Sequence, residues 1–200
     1  MNAASMTSPD ATIGEPSPWL LRWAHLIRPG GRVLDLACGR GRHLRWLVAR
    51  GFSVTGVDRD AAALEPLRAL SAELLVADLE TGPWPLAGRR FDAVVVTNYL
   101  WRQLIPTLRA ALDDGGVWIH ETFAAGNETV GRPARPEFLL GPGELLHAAE
   151  GLYVVAYEDG FLSAPDRFVQ RIVAVAPPGA GTPLPVRLPL APAGEPKPGG

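Results

Sequence analysis

The chain has 200 residues, of which 47% are hydrophobic and 20% charged. That length suits one core, and the apolar fraction excludes a disordered chain. The net charge of −2 gives no electrostatic case for nucleic acid or an acidic membrane as partner. No apolar run reaches the roughly 20 residues a membrane-spanning helix needs. Lys197 is the one lysine, so the arginines read as compositional bias. With Cys38 as the one cysteine, an internal disulfide is impossible and no cysteine-built metal site is expected. No basic start precedes an apolar run at the N-terminus, so a cytoplasmic protein is expected.

Residues 1–15 are small and polar and are expected to be disordered. A core domain is expected over 16–176. Residues 177–200 are rich in Pro and Gly, which supports neither ladder nor helix and predicts a disordered tail.

Within the core, Pro18 to Ile27 reads as a short apolar helix stopped by Pro29-Gly30-Gly31. Arg32 to Ala37 reads as a strand leading into the turn Cys38-Gly39-Arg40-Gly41. His43 to Arg50 puts Leu44, Leu47 and Val48 on one helical face before Gly51. Ser53 to Val57 is a second strand closed by Asp58, and Asp60 caps a helix running to Leu70. Glu73 to Ala77 is a third strand, closed by Asp78. Phe91 to Val96 is a fourth, apolar throughout and so buried on both faces. A helix follows over Trp101 to Leu112, a turn at 113–116, and a fifth strand from Val117 to Phe123. Pro142 to Glu150 is the last helix. Leu152 to Tyr157 and Phe168 to Val175 form an antiparallel pair around a loop containing Gly160 and Pro165. The alternation predicts an α/β fold, a doubly wound and mostly parallel seven-stranded sheet with a C-terminal antiparallel hairpin.

Ligands of such sheets bind beyond the carboxyl ends of the strands, where strand order reverses. That rule selects 38–43, Asp58, Asp78, Asn98 with Tyr99, and Glu121 with Thr122. The glycines of the first turn let a ligand approach main-chain atoms, beside the free N–H groups of the helix that follows. Asp35 lies just before the turn. Asp58 comes roughly 20 residues on, where a ribose would be held. Asp78 closes the next strand. Unpartnered buried carboxylates are costly, so three acids at consecutive strand ends ask for a ligand. A dinucleotide turn needs a third small residue, and Leu44 stands there. Asp35 would also repel a pyrophosphate but suits an ammonium group. A ligand with a ribose, an adenine and a cationic amino-acid end fits all three acids, and S-adenosylmethionine is such a ligand.

The segment VLDLACGRGRHLRWLVARGFSVTGVDRD resembles the opening of class I S-adenosylmethionine-dependent methyltransferases. The closing YVVAYEDG and RFVQRIVAVA resemble the antiparallel pair that ends their Rossmann-like sheet. The resemblance covers about residues 30–176. It implies that Asp35, Ala37, Gly39 and Gly41 hold the methionine end, Asp58 the ribose, and Asp78 with Leu79 the adenine. Asn98 and Tyr99 would border donor and acceptor. Where many members carry a third glycine, this chain has His43, a variant similar to the branch of tellurite- and thiopurine-type enzymes.

Methyl transfer from a sulfonium is an in-line displacement, driven mainly by positioning. Oxygen or amine acceptors can need a base, and the candidates are His120 and Glu121 at the end of the fifth strand. His120 alternates with Trp118 and so also suits a structural role. Glu121 could instead pair with Arg132 or Arg135. Tyr99 can face the sulfonium. The loop 124–140 is long enough to be a lid, and its Arg132 and Arg135 could grip an anionic acceptor. The chain lacks the Asn/Asp-Pro-Pro-Tyr/Phe segment of nucleic-acid base amino-methyltransferases. A small-molecule acceptor is therefore expected. The alternatives are a protein or RNA acceptor and a non-catalytic nucleotide-binding module.

Overall fold

The computed structural model describes residues 14–181 and 185–192. The sheet has seven strands, β1 (Arg32–Leu36), β2 (Ser53–Asp58), β3 (Ala72–Val76), β4 (Phe91–Thr97), β5 (Leu112–Phe123), β6 (Tyr153–Ser163) and β7 (Asp166–Val175). Their order is β3-β2-β1-β4-β5-β7-β6. Strands β1 to β5 pair in parallel, while β7 is antiparallel to both β5 and β6. The expected doubly wound, mostly parallel sheet with a closing hairpin is what forms. Strand order reverses between β1 and β4, so ligand-binding loops converge beyond the ends of those strands.

Helices α1 (Pro18–Trp23), α2 (Arg42–Ala49) and α3 (Ala61–Leu64) cover one face. Helices α4 (Ile105–Ala110) and α5 (Glu144–Ala148) cover the other. Residues of β4 alternate between the two cores, with Ala93 and Val95 toward α1 and α2, and Val94 and Val96 toward α4. Burial on both sides explains the unbroken apolar run.

Several helices are shorter than expected. The helix starting after Asp60 holds for one α-turn and continues as a 3₁₀ turn over Glu65–Leu67. Pro66 has no N–H to continue the α-helical ladder. Asp60 caps this helix as expected, its carboxylate accepting from the N–H groups of Ala62 and Ala63. Similarly, a 3₁₀ turn over Arg102–Leu104 precedes α4. The closing hairpin is longer than expected. Both strands run through the segment read as a loop, Gly160 pairs with Val169, and the reversal falls at Ala164-Pro165.

The expectation of disordered ends concerns in large part residues 1–13, 182–184 and 193–200, which lie outside the described residues. The described parts of both ends make contacts. Arg42 donates to the Glu15 carbonyl at 3.4 Å. Leu188 packs on the α1-side core, and His25 Nε2 lies 3.0 Å from the Pro189 carbonyl oxygen. Leu188 and the Pro189 carbonyl thus seat this part of the tail on the α1-side core and the 3₁₀ turn over Ala24–Leu26.

Gly56 in β2 shows how tightly the first turn packs on the sheet. A Cβ there would lie 2.5 Å from Leu44 Cδ1 and 3.0 Å from Cys38 Sγ. Overpacking of this kind costs about 1–3 kcal/mol. Gly56→Ala is therefore expected to lower unfolding stability by that amount in urea titration, and an unchanged midpoint would show that Leu44 yields freely.

Candidate active site

The glycine turn enters the left-handed region three times, with φ of 50° at Ala37, 52° at Gly39 and 75° at Gly41. A Cβ on Gly39 would meet nothing within 4 Å, so its space faces the open site. A Cβ on Gly41 would lie 2.6 Å from Leu67 Cδ1. Gly41 thus lets the turn pack against the 3₁₀ segment after α3, and it does not line the cavity. The Gly39 N–H donates to Asp58 Oδ2 at 2.7 Å, tying the turn to the end of β2. Asp58 Oδ1 accepts from the Asp60 N–H at 2.9 Å.

Three adjoining clefts open over the strand ends. The first, about 460 Å³, is bounded by Ala37, Asp58, Asp78, Leu79 and Tyr99, together with Arg59. The second, about 650 Å³, meets it at Ala37 and is bounded by Gly39, Arg42, His43, Thr97 and Asn98. The third, about 500 Å³, lies beyond Asn98 and Tyr99. These volumes are in the range of small-ligand sites. Asp58, Asp78 and Leu79 come together in the first cleft, and Gly39 and Asn98 border the second. Asn98 holds φ of 54°, a conformation its short polar side chain tolerates. Asp78 is exposed, and the Thr81 hydroxyl, donating at 2.7 Å, holds its carboxyl below the usual range.

Asp35 is only 1% exposed and lines none of the clefts; it lies behind His43, which borders the second. Its Oδ2 has no hydrogen-bond partner among the described residues. Burial pushes its pKa up to about 7, against the partial pull of the Leu44 N–H and Arg42. His43 stands 3.8 Å from Asp35 Oδ1. Burial depresses the imidazole to about 3, so the two are not an ion pair near neutrality. His43 Nε2 accepts from the Ser17 N–H at 3.1 Å. The proton of the neutral ring therefore sits on Nδ1, which lies 3.4 Å from Thr97 Oγ1.

The structure separates the two base candidates from the clefts. His120 points into the α4-side core, edge-on to Trp118, with Nε2 3.2 Å from the Tyr99 carbonyl oxygen. Burial lowers its pKa to about 4. It lines none of the clefts and supports the backbone before Leu100. Glu121 points to the opposite face, under α1, at 1% exposure. Its carboxylate accepts from the Ser17 hydroxyl at 3.1 Å and pairs with Arg171 at 3.4 Å. The expected partner was Arg132 or Arg135. Arg171 takes that role because it stands directly opposite Glu121 in the β5–β7 ladder. Both base assignments are corrected on these grounds. A carboxylate sealed from the cleft and bonded on both oxygens cannot accept a substrate proton there.

The loop 124–140 is not a bare lid. It contains 3₁₀ turns over Asn127–Thr129 and Pro136–Phe138. The Asn127 side chain donates to the Pro133 carbonyl and accepts from the Phe168 N–H. Arg102 donates to the carbonyls of Glu137 and Leu139 and pairs with Glu144. The side chains this loop gives the third cleft are Pro133 and Phe138. Arg135, 75% exposed, pairs with Glu137 and stacks on Phe138. Arg132 is exposed, and neither arginine lines a cleft. The assignment of this pair to an anionic acceptor is thereby corrected.

Tyr99 borders both the first and third clefts, and its hydroxyl is buried without a partner among the described residues. Arg42 and His43 fall in the selected 38–43 turn and border the second cleft. Sequence reasoning missed Arg59, Glu80 and Thr97. Each is one or two residues from a selected position, Asp58, Asp78 or Asn98, so widening the strand-end windows would have found them.

Residues 33–116 match the family described as methyltransferase domain. No curated protein sequence matches the chain. Among solved structures, TehB from Haemophilus influenzae superposes with a TM-score of 0.63 at 20% identity, over 76% of this chain and 60% of that one. The chain thus spans well under two thirds of TehB. A SAM-dependent methyltransferase from Methanosarcina mazei gives 0.61 at 16% identity, over 82% of this chain and 100% of that one. A TehB-like SAM-dependent methyltransferase from Corynebacterium glutamicum gives 0.57 at 20% identity, over 79% and 86%. At these identities the likeness is one of fold. The domain match spans the glycine turn and β1 to β4, the part of the chain that supplies most of the lining of the first two clefts. Among the described residues no helix is long and apolar enough to cross a membrane.

A cationic amino-acid end in the second cleft would favour Asp35 as a carboxylate. Donor binding is therefore expected to favour the ionised form. Because the free carboxyl titrates near 7, affinity should hold above that pH and fall as pH drops through it. Calorimetric titration between pH 5.5 and 8.5 tests this, and Asp35→Asn should flatten the profile. A profile equally steep in that variant would assign the dependence to another group.

Proposed function

We propose that the chain transfers the methyl group of S-adenosylmethionine to a small-molecule acceptor held in the third cleft. The observation that carries this reading is the continuity of the three clefts. Ala37 joins the first two, while Asn98 and Tyr99 join them to the third. The donor, when bound, supplies an electrophilic methyl on a cationic sulfur.

The protein's own residues divide the remaining work. Asp58, already fixed by the Gly39 and Asp60 N–H groups, keeps further lone pairs for ribose hydroxyls. Asp78 and Leu79 border the adenine end of the first cleft. The unpartnered Oδ2 of Asp35 fits an ammonium group, as does the open space at Gly39. Tyr99 and Asn98 stand between donor and acceptor and hold the two in line, which is the main catalytic contribution such a displacement asks for. Leu100, Phe123, Pro133 and Phe138 give the third cleft an apolar wall against which the body of an acceptor can pack.

The cleft sizes favour a small acceptor over a protein or RNA. The small-molecule reading also agrees with a structural neighbour solved as coclaurine N-methyltransferase with N-methylheliamine and SAH, at 13% identity and a TM-score of 0.58.

Loss of charge-assisted hydrogen bonds costs roughly 1.5–3 kcal/mol. Asp58→Ala is thus expected to weaken S-adenosylmethionine binding about ten- to a hundredfold by calorimetry, with the fold retained by circular dichroism. Unaltered affinity in the folded variant would remove Asp58 from the donor site. Tighter binding of NAD than of S-adenosylmethionine to the wild-type protein would overturn the donor itself.

A further inference from the structure

The third cleft has a charge character that the donor reading does not specify. Glu80 and Tyr99 border both it and the first cleft, and Asn98 borders both it and the second. A methyl group presented between the two donor clefts therefore meets whatever the third cleft holds. Leu100, Phe123, Pro133 and Phe138 make its walls apolar, and Glu80 is its one charged lining residue. Among the described residues the Glu80 carboxylate has no hydrogen-bond or ion-pair partner. The Glu80 main-chain N–H donates to Asp78 Oδ1 at 2.9 Å, which fixes the base of the side chain at the junction. Asp58 and Asp78 lie in the adjoining cleft, and the cation there, Arg59, does not reach the lining of the third.

Two physical arguments follow. An oxyanion entering this cleft would lose its hydration beside an uncompensated carboxylate, with no guanidinium to receive it. The second argument concerns the reaction. When a neutral nucleophile attacks a sulfonium, the positive charge moves from sulfur toward the acceptor. A carboxylate on the acceptor side is then worth more in the transition state than in the ground state. With an anionic nucleophile the charges cancel, and the same carboxylate opposes binding.

We propose that the acceptor is a small amine on an apolar, ring-sized body, and that Glu80 is the residue that selects it. This rests on the donor reading above. The amine reaches the open cleft as its ammonium form, loses one proton to bulk water beside Glu80, and is held there as the neutral amine. The nitrogen lone pair then forms the new N–CH₃ bond while the S–CH₃ bond breaks, its electron pair staying on sulfur. The sulfur becomes a neutral thioether, and the N-methylated product carries the positive charge as an ammonium facing Glu80. Nothing is oxidised or reduced.

The test uses the full chain. Calorimetry first measures binding of S-adenosylmethionine and S-adenosylhomocysteine. The S-adenosylhomocysteine complex is then titrated with benzylamine, phenethylamine and tryptamine, and with benzyl alcohol, benzoate, selenite and tellurite. Labelled methyl transfer is measured on the same compounds and on thiophenol. At least one of the amines is expected to bind tenfold tighter than benzyl alcohol or benzoate and to be methylated. Glu80→Gln should lower its kcat/KM about tenfold or more, and Glu80→Asp should restore part of that loss. Preferred methylation of selenite, tellurite or thiophenol would overturn the proposal. So would donor binding with none of the three amines bound or methylated, which leaves the donor reading standing. Amine kcat/KM unaffected by Glu80→Gln would also overturn it. Failure to bind the donor at all would overturn both readings.

Discussion

Asp35 sets the terms for much of this structure. A carboxyl group in the middle of a parallel sheet, with one oxygen unpaired, is costly to bury. The fold meets that cost locally with a seam of polar groups under α1. His43 stands beside Asp35 and near Thr97, and its other nitrogen holds the Ser17 N–H. The Ser17 hydroxyl reaches Glu121, which pairs with Arg171, which in turn pairs with Glu158. All these side chains lie on the face covered by Trp19 and Trp23. The indole Nε1 of Trp19 donates to the Ile172 carbonyl and so anchors the cover over the seam. Helix α1 is therefore part of the architecture around the second cleft, and its first residue, Pro18, follows directly on the residue that His43 holds.

The third cleft is built differently. Its walls come from the chain after β4 and from the 124–140 loop, and they are apolar. That loop is held by Asn127 at one end and by the Arg102–Glu144 pair at the other. Arg102 is the stronger anchor, because its guanidinium reaches two main-chain carbonyls as well as a carboxylate. A loop pinned this way presents Pro133 and Phe138 at fixed positions, while Arg132 and Arg135 stay exposed to solvent. The first and second clefts together are lined by charged side chains of both signs, and the third is apolar with one acid. The ligands that fit them differ accordingly.

How far the sequence could be read follows from this division. The strand-end acids were legible because three consecutive strands each close on Asp, or carry it just before a glycine turn, and that pattern needs no knowledge of which way a side chain points. The Asn98-Tyr99 position was legible for the same reason. His120 and Glu121 were not, because an apolar strand buried on both faces gives no amphipathic signal to fix its parity. In the structure Val117, Ile119 and Glu121 share the α1 face, while Trp118 and His120 share the other. One residue of parity moves each side chain through the sheet, away from a site that lies beyond its end. Arg132 and Arg135 misled for a different reason. A loop's length shows that it can cover a site, and only its anchors decide which of its side chains face inward. The longer β6–β7 hairpin was hidden because Gly160 reads as a turn, yet it pairs within the ladder at the sheet edge.

His43 joins these observations. At this place in the turn many proteins of this fold carry a third glycine, and a glycine offers neither a ring to fill the space nor a nitrogen to hold Ser17. The imidazole can accept the Ser17 N–H only while Nε2 is unprotonated. Burial keeps it so, because its pKa is depressed to about 3, far below the range in which Asp35 titrates. The two neighbours therefore respond to pH separately. Around neutrality Asp35 gains or loses its proton while His43 keeps its tautomer and its hold on α1. The carboxyl behind His43 can change charge with a ligand without loosening the helix that covers it.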